Sequence, residues 1–367
     1  MKLPNSNKLP IEKLSACFTD TTNAYKFYWF LSILDHLLEK EELHIPLKEL
    51  AIRMIASAWY PLDYYKLSFG KQDGFKKIAI SISNKIVVDN SPNAKTLFEQ
   101  IYQRMNPEEI NILHKEVFLL LRWVPYRFLR PFFKNQLIGL KDHKINKRII
   151  ELANSGIDMN RCPYYFGKEE IIITQDWFNY FQTNQNILRS FIKWHLVKFL
   201  QKNNPNVIGL SEKLEKPIVR NMKLAKIFWK KFISSVNTKC IYSNVMLSNK
   251  SMSLDHFLPW TFIAHDQIWN IIPTIRSVNS SKNNWLPSLD KYLDVFLQLQ
   301  FNAMSFHLKN NNLNLVEDYL LFFGVSVEEL IGLSYSEFEL NFKKQFFPLF
   351  ETARNLGFSY PFIYKNK

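Results

Sequence analysis

Asp-His pairs occur three times in this chain, at Asp35-His36, Asp142-His143 and Asp255-His256, and only the third has a setting that suits chemistry. The first falls in an apolar helical run, where a structural or surface histidine is the simpler account. The second falls in a basic helical run, which a solvated charged face explains. The third lies within Leu254-Asp255-His256-Phe257-Leu258-Pro259-Trp260, followed by Trp269-Asn270-Ile271-Ile272-Pro273, Asn279-Ser280-Ser281-Lys282 and Trp285-Leu286-Pro287. Phosphodiester hydrolysis needs a base for water, a cation to stabilise charge on the phosphate, and access to the leaving oxygen. A histidine at a strand end can serve as that base. An adjacent aspartate and an amide oxygen returning from a short helix can hold a hard cation such as Mg²⁺.

The elements that must position these residues follow from pattern. Two short β-compatible runs, 240–247 and 252–258, are joined by Ser248-Asn249-Lys250-Ser251, which predicts a hairpin whose second arm ends in Asp255-His256. An asparagine-rich stretch then runs to about Pro287. Most of the remaining chain has helical periodicity. One helix is expected after the capping residues Asp20-Thr21-Thr22, through Tyr25, Phe27, Trp29, Leu31 and Leu34 towards Glu42. Others are expected over 47–59, over 176–202, over 218–235, and after Asn106-Pro107-Glu108-Glu109, where proline and acids suit a first turn. Ile171-Ile172-Ile173-Thr174 suits a strand, and the tail to Lys367 is again helical.

Lysine and arginine number 47 against 33 aspartates and glutamates, a net charge of +14. That excess attracts polyanions, nucleic acid first among them. The helix over 218–235 spaces Arg220, Lys223, Lys226 and Lys230 at threes and fours, giving a positive face just before the candidate unit. With Arg122, Arg127 and Arg130 it is expected to hold a nucleic-acid backbone, the competing reading being a solvated helix surface. Three widely separated cysteines suit a reducing compartment rather than a disulfide framework. The N-terminus lacks the apolar run of a signal peptide, and no apolar stretch is long enough to span a bilayer. The expected setting is cytoplasmic, with no membrane partner.

The stretch from Cys240 to Pro287 resembles the HNH endonuclease family, whose ββα-metal unit is a hairpin, a loop and a helix around one divalent cation. The resemblance implies His256 as general base, Asp255 as the adjoining metal ligand and Asn279 as the second protein ligand. It implies Asn270 as the middle asparagine of the family name, bracing the loop through backbone hydrogen bonds. Asn283, four residues beyond Asn279 and so on the same helix face, is a candidate further ligand, against the reading of a surface asparagine. Lys282 is a candidate phosphate contact, against the reading of an ordinary surface lysine. Many relatives brace the unit with zinc held by two Cys-x-x-Cys pairs. Here the corresponding segments, Cys240-Ile241-Tyr242-Ser243 and Ile275-Arg276-Ser277-Val278, retain one cysteine and none. A structural zinc needs about four ligands, so none is expected, and Ile275 and Val278 are expected to face inward in its place. Trp260, Phe262 and Trp269 are expected to be core residues.

The fold expected is mainly α with a small α+β unit. A helical, basic and aromatic-rich recognition or scaffold region spans 1–236, the HNH unit 237–290, and a helical C-terminal segment 291–367. The implied activity is cleavage of DNA phosphodiester bonds with one Mg²⁺ or Mn²⁺ per site. The N-terminal region resembles the helical leader of some bacterial HNH proteins, which implies an antiviral or mobile-element defence role under a protein or guide-complex partner. The alternatives are a nucleic-acid- or partner-binding protein with a silent HNH unit, and an RNA-directed nuclease or toxin.

Overall fold

A computed structural model describes residues 2–19, 21–70, 73–88, 93–155, 161–215 and 220–365. Helices dominate, with one three-stranded and one two-stranded antiparallel sheet. The described chain forms two compact units: Met1–Pro205 with Lys213–Lys216, and Asn206–Glu212 with Pro217–Lys367.

In the first unit the helix Tyr25–Lys40 is buried on nearly every side from Phe27 to Leu34, as its unbroken apolar run demands. Asp20, one of its expected capping residues, lies outside the described residues. The helix Leu47–Trp59 packs against it. Strand Glu170–Ile173 sits between His44–Pro46 and Tyr164–Phe166. The helix Pro107–Leu121 opens on a capping box, the Asn106 side chain accepting from the Glu109 backbone N–H and Glu109 from that of Asn106. The helix expected over 176–202 is two, Gln175–Thr183 and Gln185–Asn203, divided at Asn184 where φ falls to -112°. Buried Arg53 ties this core electrostatically: it donates to Glu39 (3.0 Å) and Glu49 (2.9 Å), while His36 and Lys40 also meet Glu49.

The second unit is built on one apolar core. The helix Lys223–Ser235 contributes Phe228, Trp229 and Phe232, Leu289–Lys309 contributes Phe296, and Tyr335–Asn355 contributes Phe338, Phe342, Phe346 and Phe350 at intervals of four. Such spacing lays four rings along one helical stripe. Phe257, Phe262, Trp269 and Val278 of the HNH-like segment enter this same core. Residues 218–219, the expected start of the basic helix, lie outside the described residues.

The expected hairpin is not formed by 240–247 and 252–258. Strand Met252–His256 pairs instead with Ile271–Ile275, Asp255 opposite Ile272 and His256 opposite Ile271. Residues 238–247 close on themselves: Lys239 bridges Met246, Cys240 N–H donates to Val245 O, and Asn244 takes φ 59° in the turn. Pro273 disguised the true partner, since proline cannot donate to a ladder. In a two-stranded sheet every strand is an edge, and there a proline is tolerated.

Candidate active site

The strand Met252–His256 is only partly covered until its last two residues, Asp255 and His256, which are buried. Beyond them the chain leaves the sheet, makes the short helix Trp260–Ile263, and returns through Ile268–Asn270 into strand Ile271–Ile275. Asn270 holds this excursion closed. Its Oδ1 accepts from Leu258 N–H (2.8 Å), its Nδ2 donates to Leu258 O (2.9 Å), and its own carbonyl accepts from Phe257 N–H (2.8 Å). Fully buried and with both amide atoms engaged, Asn270 has nothing left to offer a reacting group. It is a positioning residue.

The helix Arg276–Lys282 then folds back over the first strand. Asn279 spends its amide hydrogens on Ser253 Oγ (3.0 Å) and Leu254 O (2.9 Å), leaving Oδ1 without a hydrogen-bond partner among the described residues. Asn283 does not share the face of Asn279. The helix stops at Lys282, and Asn283 is its exposed C-terminal cap with φ 44° and ψ -119°. The inward pair is instead Val278 and Lys282, also four residues apart.

Lys282 is thus not at the surface, which removes the reading of an ordinary surface lysine. It is 0% exposed, and its ammonium lies 3.3 and 3.2 Å from the two Asp255 carboxylate oxygens and 2.6 Å from His256 O. Burial pulls its pKa below the ordinary lysine range, with Asp255 acting in the opposite direction. Asp255 also accepts from Tyr242 OH at 3.1 Å.

His256 meets a residue that sequence reasoning missed. Its Nε2 lies 3.0 Å from Asp266 Oδ1, while Asp266 Oδ2 accepts from Asn221 N–H at 2.9 Å. Burial raises the Asp266 pKa, but the hydrogen bond and charge of His256, the Asn221 N–H and Arg220 outweigh it and hold the carboxyl below its usual value. His256 Nδ1 has no partner among the described residues. The only sequence signal for Asp266 was its place in the loop ten residues on from His256.

Three further residues from outside the motif fix the loop. Buried Gln300 places its amide nitrogen within 3.0–3.3 Å of the carbonyls of Ile268, Trp269 and Ile271, and its Oε1 accepts from Tyr319 OH. Asp318 accepts from Ile268 N–H (2.8 Å), and Trp229 Nε1 donates to Ile271 O (3.0 Å). Trp260, Phe262 and Trp269 are all buried, Trp269 stacking on Phe322 at 4.1 Å.

Cys240 is buried with its Sγ 3.1 Å from Thr274 Oγ1, and Val278 and partly buried Ile275 belong to the same core. Among the described residues no group of three or more histidines, cysteines, aspartates and glutamates is arranged to hold a metal. The candidate oxygen donors from the sequence are the Asp255 carboxylate and the Asn279 amide.

The basic helix buries Ala225, Phe228, Trp229 and Phe232 and exposes Lys223, Lys226 and Lys230, which have no acidic partner among the described residues. Arg220 lies over the Trp260 ring at 4.5 Å. The arginines 122, 127 and 130 belong to the other unit. There Arg127 is committed to Asp142 (2.8 and 2.9 Å) and Asn146, and Arg122 lies against Trp123.

Residues 238–288 match the family model for HNH endonuclease, so the chain carries an HNH endonuclease domain. That domain implies nuclease chemistry, a nucleic-acid substrate and use of a divalent metal ion. No curated protein and no solved structure matches the chain. Among the described residues no helix is long and apolar enough to cross a membrane.

Proposed function

We propose that the HNH endonuclease domain makes this chain a metal-dependent DNA endonuclease, with His256 activating water and Asp255 and Asn279 holding one Mg²⁺ or Mn²⁺. The observation that carries this reading is the pairing at one strand end of a histidine with a committed Nε2 and an unpartnered Nδ1 and, beside it, a buried carboxylate. Asn279, hydrogen-bonded to that strand, supplies an amide oxygen with no protein partner. Carboxylate and amide oxygens are hard donors, suited to small divalent cations that retain several waters. When bound, the metal supplies stabilisation of negative charge on the phosphate.

The chain's own groups do the rest. Asp266 accepts the Nε2–H of His256, which selects the tautomer whose lone pair is on Nδ1, and that lone pair takes the proton from water. The same carboxylate then faces the imidazolium. Asn270 keeps the loop after His256 from swinging. The exposed Lys223, Lys226 and Lys230 are suited to phosphates along a duplex, each neutralised phosphate releasing counterions on binding. By association with the family alone, a defence role against invading DNA is the biological setting we favour.

A silent HNH domain in a binding protein has one observation on its side: Asp255 is already neutralised by Lys282. The test compares wild-type protein with His256→Ala on supercoiled plasmid, with Mg²⁺, with Mn²⁺ and in chelator, and on single-stranded RNA. Metal-dependent nicking of the plasmid, lost in the variant, is the expected result. Equal cutting by both proteins removes His256 as base, and cutting of RNA alone moves the substrate to RNA.

A further inference from the structure

We propose that Lys282 is the resident cation of the candidate metal site, and that its ammonium leaves Asp255 when a divalent cation binds. This rests on the metal-site reading above and concerns what holds that site before metal arrives. The Lys282 ammonium lies at nearly equal distance from both oxygens of Asp255, 3.3 and 3.2 Å, and 2.6 Å from the carbonyl of His256. A cation straddling both oxygens of a carboxylate stands on the side where a metal would be received. Tyr242 OH takes a further lone pair of Oδ2, so most of the acceptor capacity of Asp255 is already spent.

Burial sharpens the conflict. Asp255 is 3% exposed and Lys282 wholly covered, so little solvent screens one positive charge from another. A divalent ion and an ammonium on the same carboxylate would repel strongly, whereas either alone neutralises it. Without any cation a buried carboxylate would stand unpaired, a severe penalty. Lys282 therefore keeps the strand Met252–His256 and the site helix together in the metal-free protein and opposes metal in proportion. Metal affinity is set by this competition as well as by the ligands.

The test is calorimetric titration of the full chain with Mn²⁺, alongside thermal unfolding in chelator and in Mn²⁺. Wild type is compared with Lys282→Met, Lys282→Gln and Asp255→Asn. The expected result is Mn²⁺ binding at least tenfold tighter in Lys282→Met than in wild type. Its thermal midpoint should be lower than wild type in chelator and should regain that gap in Mn²⁺. Lys282→Gln keeps a donor for His256 O without the charge, so it reports affinity even if the methionine variant does not fold, and it should show the same tightening. Equal or weaker binding in both variants overturns the exchange and makes Lys282 a permanent partner of Asp255. Wild-type binding that Asp255→Asn abolishes would show that the metal site itself survives that failure. Absence of Mn²⁺ binding in every protein overturns the exchange and the metal site together.

Discussion

Replacing Asn270 with leucine removes two hydrogen bonds at once while conserving side-chain size. Leu258 presents its N–H and C=O to Asn270 at 2.8 and 2.9 Å, and both Leu258 and Asn270 are wholly buried. Each backbone group left unsatisfied in such surroundings costs about 1–3 kcal/mol, so the pair costs about 2–6 kcal/mol. The new leucine recovers part of that by burying apolar surface, about 1.5–3 kcal/mol at most. Midpoint against midpoint, the expected net loss is about 2 kcal/mol, read by urea unfolding of the second unit followed by tryptophan fluorescence. Nicking should fall as well, because the loop after His256 is no longer pinned. Asn270→Asp is the companion variant: it keeps the acceptor for Leu258 N–H but sets a carboxylate against Leu258 O. It should be at least as damaging. A loss under about 1 kcal/mol in Asn270→Leu, with nicking unchanged, would refute the idea that this side chain holds the loop.

Three other outcomes follow from the geometry. Asp266→Ala should slow nicking about tenfold or more without changing KM, and the ¹⁵N shifts of His256 should move from the Nε2–H tautomer towards a mixture; an unchanged rate rules out its positioning role. Reversing Lys223, Lys226 and Lys230 to glutamate should weaken DNA binding and flatten the dependence of log K on log salt by up to about 0.9 for each phosphate no longer neutralised, and an unaltered slope would leave that face merely solvated. In the first unit, burial raises the Glu49 pKa, but hydrogen bonds from His36, Lys40 and Arg53 outweigh it and hold it at about 2 against 4.5 for a free side chain. A depressed carboxyl stabilises fully above its unfolded pKa, so up to about 3 kcal/mol should drain away as pH falls from 4.5 towards 2. Glu49→Gln should unfold with a visibly shallower acid dependence across that window, and parallel curves would count against the ion cluster.

What the sequence discloses divides by range. The capping box at Asn106 and Glu109 and the apolar run from Phe27 to Leu34 are local signals, and the helices they announce are present. Asp255, His256, Asn270 and Asn279 also stand out, because their residue types and order resemble the HNH motif. The strand partner is hidden because Pro273 speaks against a strand locally, while only the sheet edge makes it harmless. Lys282 is misleading for a similar reason. A lysine in an asparagine- and serine-rich run suggests solvent, and only the rotation of the helix, fixed by Val278, turns it inward. Gln300 and Asp318 carry no local mark at all, and Asp266 carries only its place in the loop after His256. Their roles arise from backbone groups that the fold brings to them from elsewhere in the chain.

Those distant interactions bear on how recognition and chemistry are joined. The HNH domain is not a self-contained module here, since Phe257 stacks on Phe296 at 3.9 Å, Trp269 on Phe322, and Gln300 gathers three carbonyls of the loop. Upstream, Asn221 gives its backbone N–H to the very carboxylate that meets His256, and Arg220 covers Trp260 at the start of the loop helix. The lysine face begins two residues later, at Lys223. A polyanion drawn to that face would act on the same short segment that anchors Asp266. The segment is held by Asp266, which also meets the candidate base His256, so displacement of the segment bears directly on that contact. Through that contact the orientation of His256 depends on the segment that leads into the lysine-bearing helix.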